Sequence, residues 1–307
     1  MLPVTVNQDG LMIGELRISF ERTLRIPDDE KTYPLPPSLG TFPVCRVSDY
    51  KDTVPEKWLE EGGVFIPVYQ REAMWLSFSG TPHALIVDAG NTNAVSGKER
   101  CTELQADEQN YVVAPDQPWL DGFNAGKGYI RQFVAMPVGQ GYSVEEQLSD
   151  KEPRGGLSFT VFAPKPGRVE QECGGFYLLT DMHVCQDAAM GIAAGGKMEQ
   201  EIYPDQYGVD AWDRKTKTAV RVHFVNSEQY ERMTGDAPPD SPVTAEVYTE
   251  HGFPWFRMYD EGKGDLAPSD ELSKVKSVKD VDKEKRVPAE NESLHVPDNQ
   301  IVTVKKN

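Results

Sequence analysis

Apolar and polar residues alternate along this chain in short runs, and glycine, proline, asparagine and aspartate separate one run from the next. Across residues 13–20, Glu15, Arg17 and Ser19 interleave with Leu16, Ile18 and Phe20. Across residues 219–225, Val220, Val222 and Phe224 oppose Arg221, His223 and Val225. A period of two places alternate side chains on opposite faces of a strand, so both segments are predicted to be half-buried strands. Further strands are expected at residues 64–69, 73–78, 84–88, 111–114, 129–136, 157–162 and 176–179. Strands this closely spaced, with no long helical pattern between them, predict a mainly β fold: an antiparallel β-sandwich-like body with a few short connecting helices.

Those helices are marked by their caps. Thr53-Val54-Pro55-Glu56 has the capping-box pattern, with Gly62-Gly63 as the stop. Ser227 opens a second helix that Gly235 closes, and a third runs over residues 244–250. Ala163-Pro164-Lys165-Pro166-Gly167 is the best candidate for an internal boundary, near residues 163–170, and reads equally as one long loop. Residues 1–261 form the expected β-rich body. Residues 262–307 read as a charged, partly disordered tail, poor in aromatic residues. Within it Leu272, Val275, Val278 and Val281 recur every third residue after Ser269, which predicts one short amphipathic helix docked on the body.

Charge narrows the partners. The net charge is −17, and residues 262–307 hold 9 of the 32 basic and 9 of the 49 acidic side chains. That leaves 23 against 40 in the body, which carries the whole excess. With no basic stripe to neutralise phosphates, nucleic acid is not an expected partner; neutral, cationic or metal-bearing partners are. No apolar stretch reaches transmembrane length, so no membrane insertion is expected, and residues 1–9 lack a secretory pattern. Cys45, Cys101, Cys173 and Cys185 form no Cys-x-x-Cys pair. Together these features predict a soluble cytoplasmic protein.

Candidate chemistry is sparse. Gly191 to Met198 has phosphate-loop spacing, but Met198 stands where a hydroxyl should meet magnesium, so the run reads as a Gly/Ala loop. Asp181, His183 and Cys185 would share one face of a strand and, with Cys173, offer zinc a mixed ligand set. Asp88, Asn91 and Asn93, or Asp116, Asp121 and Asn124, offer calcium clustered oxygens without EF-hand spacing. No cofactor is expected beyond these two metal options. Three tryptophans sit on turns marked by proline, glycine or aspartate: Trp119 beside Asp116 and Asp121, Trp212 beside Asp213, and Trp255 before Tyr259. A flat ring beside oxygen acceptors suits a polar ligand such as a glycan, while an indole on a turn more often anchors that turn in the core.

The strings Pro115-Asp116-Gln117-Pro118-Trp119-Leu120-Asp121-Gly122, Gln200-Glu201-Ile202-Tyr203 and Pro254-Trp255-Phe256 resemble those of an uncharacterised group of microbial proteins, over most of residues 10–261. The resemblance implies one inherited fold for the body and carries over no catalytic or binding residue. The sequence therefore favours a non-catalytic binding or assembly protein. One alternative is a hydrolase, using paired carboxylates or the Asp181/His183/Cys185 set. The other is a self-assembling structural protein.

Overall fold

In a computed structural model that describes residues 1–169, 190–258, 263–288 and 293–304, the alternating segments become two packed sheets. The first runs, neighbour to neighbour, Val4–Asn7, Gly10–Ile13, Leu16–Thr23, Ala73–Gly80, Tyr129–Pro137, Met190–Glu199 and Thr32–Tyr33. Short strands at Ser38–Thr41, Trp119–Leu120 and Gly122–Gly126 pair alongside. The second runs Thr92–Asn93, His83–Ala89, Leu157–Phe162, Thr218–Asn226, Val64–Val68 and Cys45–Arg46, with Val112–Ala114 beside His83–Ala89. The fold is mainly β, but its sheets are mixed rather than purely antiparallel. Thr32–Tyr33 lies parallel to Met190–Glu199, Val64–Val68 parallel to Thr218–Asn226, and Trp255–Met258 parallel to Ile301–Val304.

Alternation builds the core. Leu16, Ile18 and Phe20 point inward from the first sheet, and Val220, Val222 and Phe224 from the second, into one apolar cluster. The Phe20 and Phe159 rings stack across it at 5.9 Å. At about 1.5–3 kcal/mol for each large side chain buried, this layer is the main driving force for folding.

The 219–225 strand is not half-buried as its pattern predicts. Its second face is covered too: Arg221 donates to the carbonyls of Leu157 (2.7 Å), Arg154 (2.8 Å) and Gly155 (2.7 Å), and Trp58 stacks on His223 at 4.5 Å. His223 sits 2.9 Å from the Gly62 carbonyl, and burial pushes its imidazole down to about 4. It is therefore a neutral histidine that donates to that carbonyl.

The expected Gly/Ala loop over Gly191 to Met198 is instead the buried strand Met190–Glu199, paired with Tyr129–Pro137 on one side. Its small residues answer to space. A Cβ on Gly195 would stand 2.6 Å from Val134 Cγ2, and one on Gly196 would stand 2.2 Å from the Pro27 carbonyl oxygen. Tyr129–Pro137 pairs with Met190–Glu199, and Leu157–Phe162 with Thr218–Asn226. The segment near residues 163–170 is thus spanned by strand pairs in both sheets.

Helices occur near their predicted places. Glu56–Glu61 begins at Pro55 without a side-chain cap, because Thr53 bonds the Tyr50 and Met233 carbonyls instead. Ser227–Thr234 is capped by Asn226 and ends at left-handed Gly235, and Ala245–Glu250 is capped by Thr244. A further helix, Val144–Leu148, starts at a Ser143/Glu146 capping box.

The described part of residues 262–307 packs on the body. Leu272, Val275, Val278 and Val281 are all buried. Ser269 caps the turn at Leu272, and a new capping box at Ser277 and Asp280 starts the helix Val278–Lys285. Asp282 fixes that helix by accepting from both terminal guanidinium nitrogens of Arg71 at 2.8 Å and from the Tyr142 hydroxyl at 2.7 Å. Asp282→Ala should cost about 2 kcal/mol, below the full buried-pair value because Arg71 keeps some solvent. Limited proteolysis should then show faster cleavage within residues 276–288 while the rest of the chain stays resistant. Unchanged cleavage would rule out this anchoring role.

Candidate functional site

An open groove of about 720 Å³ lies where the two sheets end side by side. One wall is the hairpin tip Val6, Asn7, Gln8 and Asp9. The opposite wall holds Val44, Cys45, Arg46, Asp49 and Tyr50. The third is the loop after the Ser227–Thr234 helix, with Asp236, Pro239 and Asp240. Four aspartates face a single arginine.

Buried groups hold these walls. Val44 donates its N–H to the Gln8 carbonyl at 3.1 Å, joining the tip of the first sheet to the edge of the second. The Tyr69 hydroxyl donates to the Pro239 carbonyl at 2.6 Å, and Arg22 donates to the Asp240 carbonyl. Arg22 is itself locked by Glu72 at 2.7 Å, with both side chains removed from solvent. A loop with three prolines or aspartates in sequence is thus fixed from beneath.

At the groove floor the Cys45 sulfur lies 3.7 Å from the Tyr230 hydroxyl. Burial pushes the Cys45 thiol up, and the Asp236 and Asp49 charges add to the effect. Burial pushes the Tyr230 phenol up as well, with Cys45 and Asp236 contributing. A thiol held protonated is a weak nucleophile, so the floor supplies hydrogen-bond donors and polarisable surface rather than an attacking group.

The tryptophan turns sit elsewhere. Trp119, half-exposed, pairs with Ser77 and meets Trp75 edge-on at 6.4 Å. Trp212 is fully buried, and its indole donates to Asp205 at 2.9 Å. Trp255 is also fully buried and donates to the Thr249 hydroxyl at 3.1 Å. Asp116 accepts from Gln206 (2.7 Å) and Tyr207 (3.0 Å), and Asp213 caps its own turn by accepting from Lys215 at 3.0 Å. Asp121 is buried against Gln200 at 2.8 Å, and burial raises its carboxyl to about 7.

The Trp119 and Trp212 turns both lean on residues 200–207, through Gln117, Gln200 and Asp205. The Trp255 strand bonds Leu35 instead. The three indoles therefore present no common face to solvent. What opens beside Asp116 is a pocket of about 120 Å³, against 720 Å³ for the groove. Of these two, the groove reaches the roughly 300–1,000 Å³ that ligand sites occupy.

Tyr259 and the zinc candidates Asp181, His183, Cys185 and Cys173 lie outside the described residues. Among the described residues no group of three or more His, Cys, Asp or Glu is placed to hold a metal ion. In the first calcium candidate, Asn93 donates to Asp88 at 3.1 Å and to the Asn110 carbonyl at 2.9 Å. In the second, Asn124 donates to the Ala267 carbonyl at 3.0 Å. Both asparagines thus serve chain closure. Among the described residues, no helix is long and apolar enough to cross a membrane.

No family model matches this chain, and no curated protein or solved structure matches it either. The functional reading therefore rests on the geometry of the site.

Sequence reasoning missed the groove because its residues come from four separated stretches, none of them a motif. The visible signal was the proline-rich turn Asp236-Ala237-Pro238-Pro239-Asp240 directly after a helix stop.

Proposed function

We propose that this protein acts by binding, and that its site is the acidic groove between the two sheet ends, which takes a cationic ligand. The observation that carries the reading is a preformed concavity of about 720 Å³ lined by Asp9, Asp49, Asp236 and Asp240 against Arg46 alone. Its walls are held by the buried Arg22–Glu72 pair and Tyr69, so little ordering cost falls on binding. The body-wide acidic excess adds long-range attraction for cations. A hydrolase reading is less well supported, because Asp116 and Asp121 are engaged in internal hydrogen bonds and the Cys45 thiol is pushed up.

Calorimetric titration with spermine tests this reading. Binding should be detectable at low salt and weaken at least tenfold as the Debye length falls from about 30 Å to about 3 Å. The double substitution Asp49→Asn and Asp236→Asn changes two exposed carboxylates and should abolish binding without changing the unfolding midpoint. Equal affinity in the double variant would refute the site.

A further inference from the structure

We propose that the groove's ligand is an extended basic peptide segment, which adds as a strand to the outer edge of Val4–Asn7 while its cationic side chains meet the aspartates. This rests on the groove being the ligand site and goes further by specifying backbone pairing.

The register of the hairpin decides which backbone groups are bare. Residues opposite each other in an antiparallel pair alternate between exchanging hydrogen bonds and not doing so. Gly14 donates to the Pro3 carbonyl at 2.9 Å in the same register that pairs Val4 with Ile13 and Val6 with Leu11. Pro3, Thr5 and Asn7 therefore face the Gly10–Ile13 strand. Val4 and Val6 direct their N–H and C=O groups to the other side, and Val6 lines the groove. Val4–Asn7 ends its sheet, and among the described residues no strand pairs on that side.

The facing wall repeats the arrangement. Val47 donates to the Gly63 carbonyl at 3.1 Å, in register with the pairing of Cys45 with Phe65 and Arg46 with Val64. Arg46 therefore turns its backbone groups away from Val64–Val68, and Cys45–Arg46 ends the second sheet. The Gln8–Val44 hydrogen bond joins the two edges at one end, and at the other the Leu2 N–H donates to Thr218 Oγ1 at 2.6 Å, so the bare groups of Val4 and Val6 lie between two ties to the second sheet.

An unpaired edge is a template for another chain, and soluble proteins usually guard such edges with lysine, proline or inward charge. Val4-Thr5-Val6-Asn7 is short and follows Pro3, but carries no lysine, proline or charge within the strand. In strand addition the backbone bonds supply affinity and the flanking side chains supply selectivity. Here the selecting side chains are four aspartates against one arginine, which commits the occupant to lysine- or arginine-bearing sequence.

The test uses the full chain and a labelled eight-residue peptide alternating lysine with valine, read by fluorescence anisotropy. A second peptide has the same sequence and charge but methylated backbone nitrogens, which removes its N–H donors and leaves the protein untouched. The unmodified peptide should bind at least tenfold more tightly than the methylated one. Val6→Pro removes an outward N–H at an edge position that tolerates proline, and should bring the unmodified peptide to the methylated level. Equal binding of the two peptides overturns strand addition while leaving the cation site in place. Spermine binding without peptide binding does the same. Failure of spermine and both peptides overturns both readings.

Discussion

Glu72→Ala is expected to lower the unfolding free energy by about 3–5 kcal/mol, a large share of the roughly 5–15 kcal/mol that stabilises a domain. Glu72 is 1% exposed and Arg22 3%. The carboxylate holds Arg22 Nε at 2.7 Å with one oxygen and the Tyr69 N–H at 2.8 Å with the other. Burial pushes the Glu72 carboxyl up, and the Arg22 guanidinium and the Tyr69 N–H pull it back. Truncation strands a guanidinium in the interior with the Asp240 carbonyl and the face of Phe42 as its remaining company. The cost is that of an uncompensated buried charge, which exceeds the net worth of the pair.

The same side chains hold the groove, so two properties should separate. The double substitution Arg22→Met and Glu72→Leu replaces the ion pair with apolar groups and should recover most of the lost stability. It cannot restore the donation to Asp240, so its affinity for spermine should stay reduced. Urea unfolding of the single and double variants, with spermine titration of the double, checks both halves. A loss below about 1 kcal/mol in Glu72→Ala would show that the pair does not carry this load.

The elements that were legible in the sequence are those whose cause is local. Leu16, Ile18 and Phe20, and Val220, Val222 and Phe224, declare an inward face because a strand has only two faces to choose from. Thr244 declares a helix start because a cap is a contact between near neighbours, and the start read at Ser227 lies one residue from the cap Asn226, whereas the helix expected after Ser269 begins at Ser277. What was illegible depends on a partner distant in sequence. Gly195 and Gly196 look like a flexible loop until Val134 and Pro27 are seen to leave no room for a Cβ. Arg221 looks exposed until the carbonyls of residues 154–157 cover it, and the partners that bury His223, the Gly62 carbonyl and the ring of Trp58, are distant in sequence. The groove is the extreme case, because Asp9, Asp49 and Asp236 acquire meaning only where two sheets end together. Trp212 and Trp255 follow the commoner expectation for an indole on a turn, since both rings fill the interior although their neighbours are polar.

Asp121 should weaken the folding of this protein as pH rises towards neutrality. Burial raises its carboxyl from 3.8 to about 7, against the opposing hydrogen bonds from Trp119 and Gln200, and burial raises Asp88 from 3.8 to about 6. Between about pH 4 and pH 7 the folded chain keeps a proton on Asp121 that the unfolded chain has released. Folding therefore weakens as pH rises through that window, and the loss is complete above about pH 7. A shift of about three units corresponds to on the order of 4 kcal/mol for Asp121, with Asp88 adding a smaller fall that ends near pH 6. Glu61, Glu146 and Asp282 act in the opposite sense. Their carboxyls are held low, Glu61 by Arg154 and Arg221, Glu146 by Ser143 and nearby backbone N–H groups, and Asp282 by Arg71 and Tyr142, all against the cost of burial. Their contribution is present above about pH 4.5 and disappears as pH falls below it. His223, held down to about 4 by burial, also adds stability as pH rises from about 4 to about 6.5, so the Asp121 decline is partly offset there and is read most cleanly by comparing parent and variant. Asp121→Asn removes the ionisable group while keeping an oxygen to accept from Gln200, so it should flatten most of the decline. It should match the parent near pH 5 and exceed it at pH 8 by on the order of 2–4 kcal/mol, the lower figure allowing for an amide N–H without an ideal acceptor. Urea unfolding at five pH values on both proteins measures this, and half-exposed Trp119, whose side chain hydrogen-bonds Asp121, gives a fluorescence signal that should titrate near pH 7 in the parent alone. Parallel stability curves for the two proteins from pH 5 to pH 8 would show that Asp121 is not the group responsible.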